Sequence, residues 1–152
     1  MAEAHDPRPS QKTLRAAFPP DQAPGAHHVP LARGLLKDAL PDLSQDVSYV
    51  TVRKIVLPPG GTTGWHYHPG RLLIVVGQGV LTHTYVDLDT ETITAGSCFV
   101  EARGSEHAHI GTNLGDTPLV MHAIYFQPDP ESPLAVQVPP PAEPHRVSTS
   151  GG

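Results

Sequence analysis

His66 and His68 stand one residue apart in the stretch GWHYHPGRLL, with Tyr67 between them. On an extended strand residues i and i+2 point to the same side. The spacing therefore presents two imidazoles to one face and Tyr67 to the other. Neutral imidazole nitrogens are ligands for Zn, Fe, Ni, Cu and Mn. A second pair, His107 and His109 around Ala108, repeats the spacing further along the chain. A single pair is weak evidence and reads more readily as histidines on a solvated surface. Two pairs, each beside turn glycines, favour convergence of three or four imidazoles on one divalent transition metal.

Strands have to position such a cluster, and the pattern between residues 47 and 126 is β. Residues 47–57 (VSYVTVRKIVL) alternate in period two until Pro58-Pro59-Gly60-Gly61 stops them. Residues 72–76 (LLIVV) form a short apolar run that Gly77 and Gly79 should end. Residues 80–86, 91–94 and 97–101 read as strands, 106–112 as a further one, and Leu119 to Phe126 closes the set. Glycine, proline, asparagine or aspartate ends each run, Asn113-Leu114-Gly115-Asp116 among them. Regular short strands of this kind predict a sandwich or a barrel. Residues 31–40 (LARGLLKDAL) are compatible with a turn or two of helix before Pro41, or with an extended arm.

The spacing resembles that of the cupins. Gly60, five residues, His66-Tyr67-His68, three residues, Leu72, six residues and Gly79 follow the first signature of that family. Gly96, five residues, Ala102-Arg103-Gly104, two residues and His107 follow the second, with Ala102 in place of its usual proline. The resemblance covers roughly residues 45–128. It implies an all-β double-stranded β-helix, a jelly-roll barrel, over 41–130. A proline-rich arm over 1–40 and a tail over 131–152 would flank it. It also implies a metal at His66, His68 and His107 or His109. Leu72 stands where the family carries a glutamate ligand. The final segment is two residues long for the pattern: counted from Gly104 the ligand is His107, counted back from Asn113 it is His109. If both face inward, His107 partly replaces the missing carboxylate.

Other residues carry less weight. Trp65 and Leu72 are candidate pocket walls, and His122 lines the pocket if its register points inward. A satisfied core histidine is the plainer reading of His122, and of His83 more so. Arg71 can clamp a carboxylate but reads first as a solvated turn arginine. Glu101 and Glu106 lie nearest the second pair; either can accept a hydrogen bond from a ligand or act as a base, with solvation in a turn the default. The single cysteine, Cys98, sits in the apolar run Cys98-Phe99-Val100 and reads as a buried structural thiol.

The net charge of −5 comes without a Lys/Arg cluster, which argues against nucleic-acid binding. No run approaches the roughly 18 apolar residues of a membrane span, and the first residues lack the apolar core of a signal peptide. A cytoplasmic protein is expected. The expected function is metal-dependent chemistry on a small organic molecule, of oxidoreductase or dioxygenase type or of isomerase, cyclase or lyase type. The alternative is a module that binds a small molecule or metal without turnover. Barrels of this class usually pair, so a homodimer is expected, with the arm adding an edge strand to its neighbour.

Overall fold

The computed structural model describes residues 31–32, 35–36, 42 and 47–142. The arm expected over 1–40 lies outside the described residues except at four positions. Two of these form β1 (Leu35–Leu36), which pairs in parallel with Ser97 and Cys98. Nine more strands follow: β2 (Tyr49–Leu57), β3 (His66–Tyr67), β4 (Leu72–Gln78), β5 (Val80–Tyr85), β6 (Thr90–Thr94), β7 (Ser97–Glu101), β8 (His109–Thr112), β9 (Leu119–Gln127) and β10 (Val136–Gln137). They make two five-stranded sheets, ordered β1-β7-β4-β9-β2 and β10-β3-β8-β5-β6. This is the jelly-roll barrel that the turn spacing and the resemblance imply.

Period-two alternation decides what fills it. Along β9 every second side chain, Leu119 to Gln127, is buried and those between are half-buried. On β4 the buried positions are Leu72, Ile74 and Val76. Leu81 and Ile93 meet them from the other sheet, and one continuous apolar core results. Each large aliphatic chain so enclosed contributes about 1.5–3 kcal/mol relative to exposure.

Three details differ from the reading of the sequence. β4 does not end at Gly77: it runs to Gln78, and Gly77 falls in a register shift against β9 between Val76 and Gln78. A bulge absorbs the extra residue and leaves the ladder intact on either side. Residues 106–108 do not begin β8. Ser105–His107 form a single 3-10 turn, and the strand starts at His109. Finally, the segment after residue 130, expected as a tail, contributes β10, which pairs antiparallel with β3.

Two tight turns set the ends of the central strands. Gly79, between β4 and β5, has φ +77°, and a Cβ there would lie 2.8 Å from the Pro118 carbonyl oxygen. Only glycine meets both demands. After β8 the fully buried Asn113 side chain donates to the carbonyls of Leu57 and Thr117 and accepts from Gly115 N–H. A side chain thus closes the turn before β9 and ties it to the end of β2.

Candidate metal centre

His66 on β3 faces His109 on β8 in register, and His68 follows at the end of β3. All three imidazoles are buried, at 7 %, 3 % and 3 % exposure for His66, His68 and His109. Their ligand atoms lie within 4.8 Å of one another. His66 Nε2 is 3.2 Å from His68 Nε2.

The outer nitrogen of each ring is fixed by the backbone. His66 Nδ1 donates to the Gly64 carbonyl at 2.9 Å, His68 Nδ1 to Leu134 at 2.7 Å and His109 Nδ1 to His107 at 2.9 Å. A carbonyl only accepts, so each Nδ1 carries the proton. In the neutral rings each Nε2 is then a bare lone pair, and the three lone pairs face one another. Second-sphere contacts of this kind fix tautomer and orientation for metal ligation. The donor set fits a divalent transition metal of the Fe, Mn, Ni, Cu or Zn group.

A carboxylate and a fourth imidazole form a second group that shares His109: one ligand atom each of His83, Glu101 and His109 lie within 4.8 Å of one another. Glu101, at the end of β7, is 9 % exposed. Its Oε2 lies 3.0 Å from His68 Nε2, and its Oε1 lies 3.2 Å from His83 Nε2 and 3.4 Å from His109 Nε2. His83, on β5, is 2 % exposed, and neither ring nitrogen has a well-aligned hydrogen bond. Burial pushes the Glu101 carboxyl up, but contacts from His109, His68 and His83 outweigh it and hold it well below the usual carboxylate range. Burial also pulls His66 down to about 4, against the Gly64 hydrogen bond. For His109 the pull of burial is outweighed by the Glu101 carboxylate beside it and by the His107 carbonyl, and the net shift is upward.

These groups line a small cavity that opens to solvent. Leu72, Ile74, Leu81 and Met121 give it an apolar wall, and Tyr125 adds a phenol that burial keeps protonated.

The residues singled out from the sequence divide accordingly. His66, His68 and His109 come together, and Leu72 lines the same cavity. His107 does not join them. It sits on the 3-10 turn at 53 % exposure, with Nε2 3.9 Å from Glu106. The two extra residues are spent on that turn, so His107 and His109 do not share a strand face, and His107 replaces no carboxylate. Trp65 is half-buried outside the cavity lining, its carbonyl taking the Val138 N–H. His122 alternates with the inward Met121 and Ala123 and therefore faces away from the barrel. Arg71 donates to the Asp42 carbonyl.

Glu101 and His83 are the residues that the sequence reading discounted. The signal was present in period two. His83 shares a face with Leu81, and Glu101 with Phe99, both of them core residues.

The family model of the cupin domain matches residues 53–125. A structure of oxalate oxidase, studied for its mechanism, is 28 % identical with TM-score 0.51, covering 61 % of this chain and 51 % of its own. A second, of oxalate oxidase with the substrate analogue glycolate, is 28 % identical with TM-score 0.50, covering 59 % and 46 %. The polyketide cyclase RemF from Streptomyces resistomycificus shares the fold at 20 % identity and TM-score 0.50, covering 59 % of this chain and 60 % of its own. The chain spans about half the length of the oxalate oxidase structures it matches. No curated protein matches it in sequence.

Proposed function

From the match of the cupin-domain model to residues 53–125 and the jelly-roll fold, we propose that this chain is a cupin and a metal-dependent enzyme acting on a small organic molecule. One observation carries the reading: three buried Nε2 lone pairs, each bared by a backbone carbonyl on the opposite side of its ring, converge in an open cavity. His66, His68 and His109 would hold the metal. Bound there, a divalent ion supplies Lewis-acid or redox chemistry and attracts anionic groups.

The residues around it do the remaining work. The apolar wall of Leu72, Ile74 and Met121 excludes water and takes the carbon skeleton of a substrate. The carbonyls of Gly64, Leu134 and His107 keep the rings from turning. A substrate with a chelating acid or phenol end and a short apolar body suits this cavity. The similarity to oxalate oxidase, one structure of which holds glycolate, favours a small carboxylic acid and an oxidoreductase reaction over isomerase, cyclase or lyase chemistry.

The test is turnover. Chelator-stripped protein is reloaded separately with Mn, Fe, Ni, Cu or Zn and incubated with a panel of small carboxylic acids and phenols in air. Products are followed by mass spectrometry and oxygen uptake. Turnover by at least one metal form, absent in the stripped protein and in His109→Ala, is expected. Metal uptake with thermal stabilisation by acids but no product in any form would make the protein a binding module instead.

A further inference from the structure

Position 72 carries leucine, and Leu72 is 1 % exposed on β4. Its direct partner across the antiparallel β4–β7 ladder is Glu101. Opposed residues of such a pair stand on the same face with Cβ atoms about 5 Å apart. Both side chains line the one cavity. Moving a carboxylate from 72 to 101 thus keeps it on the same face of the sheet and displaces it by one strand spacing, about 4.8 Å.

Glu101 reaches the nitrogens that matter. Its oxygens lie 3.0 Å from His68 Nε2 and 3.4 Å from His109 Nε2. With the protons of both rings on Nδ1, these nitrogens are acceptors, and a carboxylate oxygen is an acceptor too. Acceptors so close require a positive charge between them, which a proton or a metal cation supplies.

We propose that Glu101 is a direct ligand of the metal, replacing across the ladder the carboxylate that position 72 lacks, with His83 as the positioning residue on its Oε1. The proposal rests on the metal reading above. The centre is then three imidazoles and one carboxylate, with the carboxylate delivered by β7 instead of β4. His83 stands 3.2 Å from Oε1 and, at 2 % exposure, has no well-aligned hydrogen bond elsewhere among the described residues. It approaches Oε1 together with His109, while His68 faces Oε2.

The experiment is a Co(II) titration of the stripped full chain, followed by visible absorption, with circular dichroism to confirm folding. Wild type is compared with Glu101→Gln, Glu101→Leu, the swap Leu72→Glu/Glu101→Leu, His83→Gln and His66→Ala/His68→Ala. Glu101→Gln and Glu101→Leu should weaken Co(II) binding at least about 100-fold, the upper end of what losing an outer hydrogen-bonding partner costs. They should also change the shape of the Co(II) spectrum. The swap should recover most of the affinity lost in Glu101→Leu. His83→Gln should cost about 10–100-fold and leave the spectral shape unchanged, as a positioning role requires.

A Glu101→Gln protein that binds Co(II) within about threefold of wild type, with the same spectrum, overturns the proposal. A folded swap variant no tighter than Glu101→Leu overturns it as well. If wild type binds and His66→Ala/His68→Ala does not, either result leaves the metal reading standing. If wild type itself takes up no Co(II), both fall. Should the Glu101 variants not fold, the infrared difference spectrum of wild type on adding Zn decides. A shifted carboxylate stretch supports ligation, and an unchanged carboxylate region overturns it.

Discussion

At the scale of single residues, the centre depends on which nitrogen of each ring carries the proton. Gly64, Leu134 and His107 accept from the three Nδ1 atoms and so aim the three Nε2 lone pairs inward. His107 contributes through its carbonyl, while its own imidazole points to solvent at 53 % exposure. That separates the two histidines that counting along the chain leaves equivalent. His107→Ala keeps the carbonyl and should hold metal within about twofold of wild type. His109→Ala removes a ligand and should lose at least about 100-fold. Isothermal titration with Zn measures both. Equal losses in the two variants would contradict the assignment.

At the scale of elements, the sequence was most legible where period two was strong. β2, β5, β7 and β9 fall within about two residues of the alternating runs, the usual uncertainty of strand ends. Glycine was less informative. Gly77 looks like a strand end yet sits in a bulge that the β9 ladder carries through, a tertiary effect with no local signature. Glu101 was misread because the last residue of a strand and the first of a turn look alike in sequence. Its register opposite Leu72 becomes visible only once β4 and β7 pair. β10 was missed for a similar reason: two residues in a proline-rich stretch carry no periodicity. Yet this segment brings the Leu134 carbonyl to His68. A chain truncated after Pro130 should fold its main barrel but bind metal about 10–100-fold more weakly, by loss of that partner. Zn titration of the truncated protein checks this, and unchanged affinity would show that the Leu134 contact does not matter.

At the scale of the molecule, no helix among the described residues is long and apolar enough to cross a membrane. The conspicuous surface is β2, an edge strand of its sheet among the described residues, where Val50, Val52 and Val56 are 57 %, 60 % and 51 % exposed on one face, with Lys54 between the last two. A long, regular edge strand is a template for pairing, and Lys54 is the single charge among its exposed valines. The homodimer expected from the sequence is accordingly proposed to form along this edge. Sedimentation velocity should show wild type at twice the chain mass and Val52→Lys at one, with metal content unchanged. A wild-type monomer would refute the pairing.

The claim on which the rest stands is that His66, His68 and His109 hold a transition metal. Its most direct test is elemental analysis of protein purified without added metal, beside a His66→Ala/His68→Ala variant. About one equivalent of Fe, Mn, Ni, Cu or Zn per chain is expected in wild type and almost none in the variant. No metal in either protein, and none taken up on titration, would contradict it and leave a barrel that recognises its ligand by shape alone.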